Sequence, residues 1–247
     1  MRFLDNLIQI INANLLPSAC ICCQQFQTDV VCKQCLNSLT NNCLVHYECC
    51  LQCGSLLNAE EIGHRRCKHC KDCPPFFDQT ICLDRYEGQL KEALHQLKYS
   101  KRIAYAHGLA RAWNHVFSTG LESCHTDCLL PVPLSLQKLH ARGFNQSWEL
   151  AKRIDCDPRI QKLPYALKRH HHPEHQAGQA IAKRQDTIKG MFYIDARYID
   201  YLTNKTVVIF DDVMTSGATL NEIARILKAN GASRVMNWVL LRATRLS

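Results

Sequence analysis

The 247-residue chain is 47% hydrophobic and 21% charged, with a formal net charge of +8, which excludes a disordered or low-complexity protein and leaves room for one good core or two smaller ones. Twelve of its sixteen cysteines fall between Cys20 and Cys73 and none follows Cys156, so two regions with different means of stabilisation are expected. No run reaches the roughly 20 apolar residues of a membrane span.

At the N-terminus, "MRFLDNLIQIINANLLPSAC" carries Asp5, Asn6, Gln9, Asn12 and Asn14 within its apolar stretch, interruptions that a secretory signal does not tolerate. Leu4, Leu7, Ile8, Ile11 and Leu15 follow helical spacing instead and predict a short amphipathic helix. The expected location is the cytoplasm, where thiols stay reduced and clustered cysteines serve as metal ligands rather than disulfides.

Four Cys-x-x-Cys pairs follow: Cys20 with Cys23, Cys32 with Cys35, Cys50 with Cys53, and Cys67 with Cys70. Two intervening residues let both sulfurs turn onto one ion, and two such knuckles complete a tetrahedral zinc site. Pairing in order gives one centre from the first four thiolates and another from the last four; spacing alone leaves crossed pairing open. Cys22, Cys49 and Cys73 blur individual assignments. Four thiolates leave no open position, so both sites read as structural. Each loaded centre adds a charge of −2, bringing the chain to about +4, compatible with a phosphate-bearing ligand or nucleic acid.

"PPFFD" (Pro74 to Asp78) marks the junction, dividing an N-terminal helix and cysteine-rich region, 1–78, from the remainder, 79–247. Leu90, Ala93, Leu94 and Leu97 predict a helix ending in the basic "LKYSKR", and Ile103, Leu109, Ala110, Trp113 and Phe117 predict a second. "CLLPVPL" (Cys128 to Leu134) reads as a short buried strand leaving through prolines. "RGFNQSWELAKRI" begins as loop and becomes a helix with Leu150 and Ile154 on one face. Lys168 to Lys189 is basic and histidine-rich; "RHHHPEH" (Arg169 to His175) offers ligand types but reads as a solvated loop. "KTVVIF" (Lys205 to Phe210) predicts a central parallel strand. Leu220, Ile223, Ala224 and Leu227 predict a helix closed by Asn230-Gly231, and "RVMNWVLL" a last strand. Strand, helix, strand in this order argues for an α/β fold with a parallel sheet.

Ligands of such sheets sit at the carboxyl ends of the strands, where Asp211 and Asp212 fall. The turn Thr215, Ser216, Gly217, Ala218 and Thr219 leads into the next helix, and its amides, hydroxyls and positive helix end suit one phosphate. Two carboxylates would repel a bare polyphosphate but accept hydrogen bonds from the vicinal hydroxyls of a ribose, so a ribose 5-phosphate moiety is the expected ligand.

"VVIFDDVMTSGATL" (Val207 to Leu220) closely resembles the phosphoribosyl-pyrophosphate (PRPP) signature of type I phosphoribosyltransferases. With "LKYSKR", "PVPLSLQKLHARGFNQSWELA" and the Cys-x-x-Cys pairs, the chain is similar over nearly its full length to the ComF family, competence protein ComF and GntX-like proteins. The resemblance implies a phosphoribosyltransferase-like parallel sheet flanked by helices, behind a small double zinc-ribbon domain. It implies that Asp211 and Asp212 hold ribose hydroxyls, that residues 215–219 hold the 5-phosphate, and that Arg142, beside the flexible Gly143 in the family's "RGFNQ", meets pyrophosphate; Lys98 and Arg102 are weaker candidates. Gln176, Arg184 and Phe192 fit a further family pattern, with Thr187 replacing its asparagine. Mg2+ is expected to accompany PRPP, with pentosyl transfer to an acceptor that nothing in the sequence identifies. The family also implies a role in DNA uptake during natural transformation, alongside single-stranded DNA and uptake or recombination proteins. The alternative is a non-catalytic PRPP sensor that binds single-stranded DNA.

Overall fold

The structure, a computed structural model, describes residues 18–117, 125–170 and 188–243. The elements in order are β1 (Ser18–Ala19), β2 (Phe26–Gln27), α1 (Lys33–Asn42), α2 (Lys68–Asp72), β3 (Gln79–Arg85), α3 (Gly88–Tyr99), α4 (Ala104–Val116), β4 (Cys128–Pro131), α5 (Leu136–Arg142), α6 (Gln146–Ala151), β5 (Gln161–Lys162), β6 (Leu167–Arg169), β7 (Phe192–Ile194), α7 (Ile199–Leu202), β8 (Thr206–Met214), α8 (Ala218–Ala229) and β9 (Arg234–Arg242). The expected N-terminal helix, Gln176, Arg184, Thr187 and His171 to His175 lie outside the described residues.

The expected parallel sheet is present. It has five strands in the order β3-β9-β8-β4-β5, all parallel. Strand β8 is central because its apolar run serves both faces: Val208 and Phe210 enter one core with Leu129, Met236, Trp238 and Trp113, while Val207 and Ile209 enter another with Cys128, Leu130, Val235 and Leu227. Period-2 alternation sorts them. Helix α3 buries Leu90, Ala93, Leu94 and Leu97 as their spacing requires, each leucine contributing about 1.5–3 kcal/mol by leaving water. That face holds Lys98 in the last turn, over the carboxyl ends of the strands, where the helix dipole favours a cation.

Four local readings change. Strand β8 runs past Phe210 to Met214, so the aspartates belong to the strand. Ile103 lies ahead of α4 and is 44% exposed. Arg142 closes its own short helix, α5, with Gly143 as a left-handed cap at φ 86° before α6 begins. Strand β3 and the antiparallel pair β6 and β7 are additions.

Apolar packing runs across the expected boundary after Asp78. Cys20, Ile21, Val31 and Leu36 share a core with Leu109 and Trp113, and Cys50, Cys53, Cys67 and Cys70 share one with Phe77, Cys82, Met214 and Leu220. Among the described residues no helix is long and apolar enough to cross a membrane.

Candidate functional site

The carboxyl end of β8 presents two aspartates in different surroundings. Asp212 is 4% exposed; its Oδ2 faces the Lys98 ammonium and its Oδ1 accepts a hydrogen bond from Gln146 Nε2 at 3.2 Å. Burial alone would raise its pKa, but the Lys98 charge and the Lys98 and Gln146 hydrogen bonds outweigh that and hold the carboxyl below its ordinary range. Asp211, partly buried, accepts from Ser147 Oγ at 3.2 Å and from the Asp212 amide at 2.9 Å. Removal from water and the adjacent Asp212 charge push its carboxyl well above the carboxylate range. The two neighbouring carboxyls are thus shifted in opposite directions, Asp212 downward by its lysine and glutamine partners and Asp211 upward by burial and the adjacent charge.

The "RGFNQS" stretch is the frame of this pair. Gly143 ends α5, and Asn145 caps α6 by accepting the Ser147 amide at 3.0 Å while donating to the Val132 carbonyl at 3.0 Å. That anchors α6 to the end of β4 and aims Gln146 at Asp212 and Ser147 at Asp211. Arg142 reaches the Gln146 side-chain oxygen and lies over the Tyr99 ring, 5.8 Å from its centroid. Arg142, Gln146, Asp212 and Lys98 therefore form a continuous polar chain beside the strand end. Arg102 is exposed beyond α3. Gln146 and Ser147 carry no diagnostic residue type, and Lys98 is only a weaker candidate in the sequence; the signal for all three is their position in the two family segments.

The turn after β8 is open. Thr215 and Ser216 are exposed, and Gly217 takes φ 80°; a Cβ there would lie 2.6 Å from Met214 Cε and 3.9 Å from the Phe77 ring. A left-handed residue at this point costs an L side chain strain. Among the described residues no protein acceptor takes the amides of Thr215, Ser216 and Gly217, while Ala218 N donates to Ser216 Oγ at 3.3 Å. Twelve residues of α8 stand behind the turn, so amides without a protein acceptor lie beside a helix N-terminus, an arrangement that attracts anions. The aspartates, Arg142 and Gly143, and residues 215–219 thus lie along the strand ends after β4 and β8.

The cysteines fall into two groups in chain order: Cys20, Cys23, Cys32 and Cys35, and Cys50, Cys53, Cys67 and Cys70, with all sulfurs of a group within 4.8 Å of one another. Sulfurs bound tetrahedrally at about 2.3 Å stand roughly 3.8 Å apart; Cys23 and Cys32 are separated by 3.9 Å and Cys53 and Cys67 by 3.7 Å. Both donor sets fit zinc, with neighbouring pairs joined rather than crossed. Cys22, Cys49 and Cys73 belong to neither group. Of the histidine-rich segment, Arg169 lies over Phe192 and His170 against Tyr193.

Residues 142–245 match the phosphoribosyl transferase domain family. The chain is 31% identical over 198 residues to the DNA utilization protein YhgH of Shigella flexneri, covering 78% of this chain and 83% of the relative. It is 26% identical over 214 residues to competence protein F of Haemophilus influenzae, covering 84% and 91%. A hypoxanthine phosphoribosyltransferase from Staphylococcus aureus superposes with a TM-score of 0.33 at 16% identity, over 56% of this chain and 62% of that one. Two four-cysteine groups ahead of a phosphoribosyltransferase-type parallel sheet, together with the YhgH and competence protein relatives, make the chain a member of the ComF/YhgH family.

Proposed function

We propose that the protein binds PRPP with Mg2+ at the carboxyl end of β8 and serves DNA uptake in natural transformation, the role that the names of its competence relatives suggest. The observation carrying this reading is the pairing of a strand-end diacid with an open amide turn at the start of α8. A diacid matches the hydroxyls of a ribose and the turn matches its 5-phosphate, a combination that a triphosphate pocket lacks. Asp211 is the member with an accessible edge. Asp212 fixes the register of α3, α6 and β8, and Arg142 offers a planar fork to pyrophosphate. In transfer, the bond from the anomeric carbon to pyrophosphate breaks, the acceptor's lone pair forms the new bond, and the leaving group departs with the electron pair. Mg2+ bound with the substrate at this strand end would supply charge neutralisation to the leaving group. The thiolate-rich first region fits a reducing compartment such as the cytoplasm.

A second reading keeps PRPP as a regulatory ligand of a single-stranded-DNA-binding competence factor. It is favoured by Asp212, whose two oxygens are already engaged by Lys98 and Gln146. A PRPP-dependent pyrophosphate-release screen over nucleobases and other nucleophiles separates the two. Release with any acceptor supports transfer. Binding of PRPP without release, with DNA binding that weakens steeply with salt, supports the sensor.

A further inference from the structure

Arg242, the last residue of β9, is 5% exposed, and among the described residues no carboxylate lies within ion-pair distance of it. A guanidinium so placed is costly unless every donor is used. Its Nε donates to the Cys53 carbonyl at 3.0 Å and its Nη2 to Ser55 Oγ at 2.9 Å, both at the Cys50–Cys53 knuckle. Its Nη1 turns the other way, to the carbonyls of Met214 at 3.0 Å, Thr215, and Ala243 at 2.7 Å. One buried side chain therefore clamps the knuckle of the Cys50–Cys53–Cys67–Cys70 group to the first residues of the anion-binding turn. A second path runs parallel: Gln52, between the knuckle cysteines, donates to the Phe77 carbonyl at 3.2 Å, and the Phe77 ring lies beneath Gly217. Four thiolates on one Zn2+ would carry a net charge of −2, a counter-charge on the Cys53 side of the guanidinium where no carboxylate provides one.

We propose that Arg242 is a positioning residue for the phosphate-binding turn, and that through it the turn's hold on phosphate depends on metal occupancy of the second four-cysteine centre. With the metal in place, the Cys53 carbonyl and Ser55 hydroxyl are fixed and Arg242 holds the Met214 and Thr215 carbonyls inward. Their following amides then face the opening. When the centre is empty, the knuckle loses its geometry and the guanidinium loses both fixed acceptors and counter-charge. This inference rests on reading residues 215–219 as a phosphate site, so its test includes a readout free of PRPP.

The test compares full-length wild type, Arg242→Lys, Cys67→Ser and the double variant by hydrogen exchange across 214–220 without ligand, and by titration with PRPP and Mg2+. Bound zinc is counted in each. A lysine ammonium cannot span both sets of acceptors, so Arg242→Lys should retain two zinc ions yet exchange about 10-fold faster in the turn and bind PRPP about 10-fold more weakly, the effect of losing a charged hydrogen-bond set. Cys67→Ser, which should keep one zinc ion, should show the same faster exchange and weaker binding, and the double variant should be no worse than either single one. Wild-type turn exchange in Arg242→Lys, or additive effects in the double variant, overturns the coupling. Wild type that fails to bind PRPP overturns the phosphate reading instead, leaving the exchange comparison to decide the clamp.

Discussion

Lys98→Met tests whether the Asp212 pair is an integral part of the fold. The Lys98 side chain is 15% exposed and that of Asp212 6%, so methionine of similar length would leave a carboxylate buried against apolar neighbours. Breaking such a pair costs about 3–5 kcal/mol; because Gln146 still donates to Oδ1 at 3.2 Å, the lower end applies, about 3 kcal/mol. At roughly 2–4 °C per kcal/mol for a chain of this size, the melting temperature should fall by about 6–12 °C. Urea unfolding of wild type, Lys98→Met and Lys98→Met/Asp212→Asn gives the comparison. The double variant should recover most of the loss, since it removes the charge that methionine strands. The native pair holds the Asp212 pKa down, so its stabilisation is present above the unfolded carboxylate pKa and is lost as pH falls through the lower folded value. In Lys98→Met, burial without the ammonium pushes the pKa the other way. The gap between the two proteins should therefore be widest near neutrality and close toward acid. A double variant as unstable as Lys98→Met, or a gap that does not change with pH, would refute the reasoning.

Three further outcomes follow from the same geometry. Asp211→Asn should raise the melting temperature of the ligand-free protein while abolishing its PRPP response. Because the folded-state pKa of Asp211 lies above the unfolded one, stability falls as pH rises between them, and at neutral pH asparagine removes that penalty without losing the Ser147 contact; a lowered melting temperature at pH 7 would count against it. Gly217→Ala should cost about 1–3 kcal/mol from its left-handed backbone, and should weaken PRPP binding about 10-fold as the turn shifts away from Met214 Cε; equal affinity by titration contradicts a close-fitting turn. Elemental analysis should find two zinc ions per chain in wild type and one in Cys67→Ser, and two ions in the variant would reject the second centre.

The sheet core was legible because Val207 to Phe210 and Val235 to Leu241 are runs that only a doubly covered parallel strand can bury. The faces of α3 and α8 followed from helical spacing for the same reason. Strand β3 was not legible: "QTICLDR" alternates weakly, and its edge position asks little of its outer residues. The ligand pairs within each Cys-x-x-Cys were readable from spacing, whereas the choice between neighbouring and crossed pairs needed the three-dimensional positions of the knuckles. At the candidate site, residue types showed that a diacid and a phosphate turn share one strand end. They could not show that one aspartate is tied down by a lysine more than a hundred positions earlier in the chain. Arg242 was the least visible, since a lone arginine ending a strand looks solvated until its carbonyl partners, contributed by Cys53 and Met214, are brought around it.

The most direct test is calorimetric titration of PRPP with Mg2+ into zinc-replete protein, alongside Asp211→Ala/Asp212→Ala whose zinc content matches. One site per chain in the wild type, with the heat lost in the double variant, is the predicted result. No binding by wild type, or equal binding by both proteins, would contradict the placement of a phosphoribosyl ligand at the end of β8.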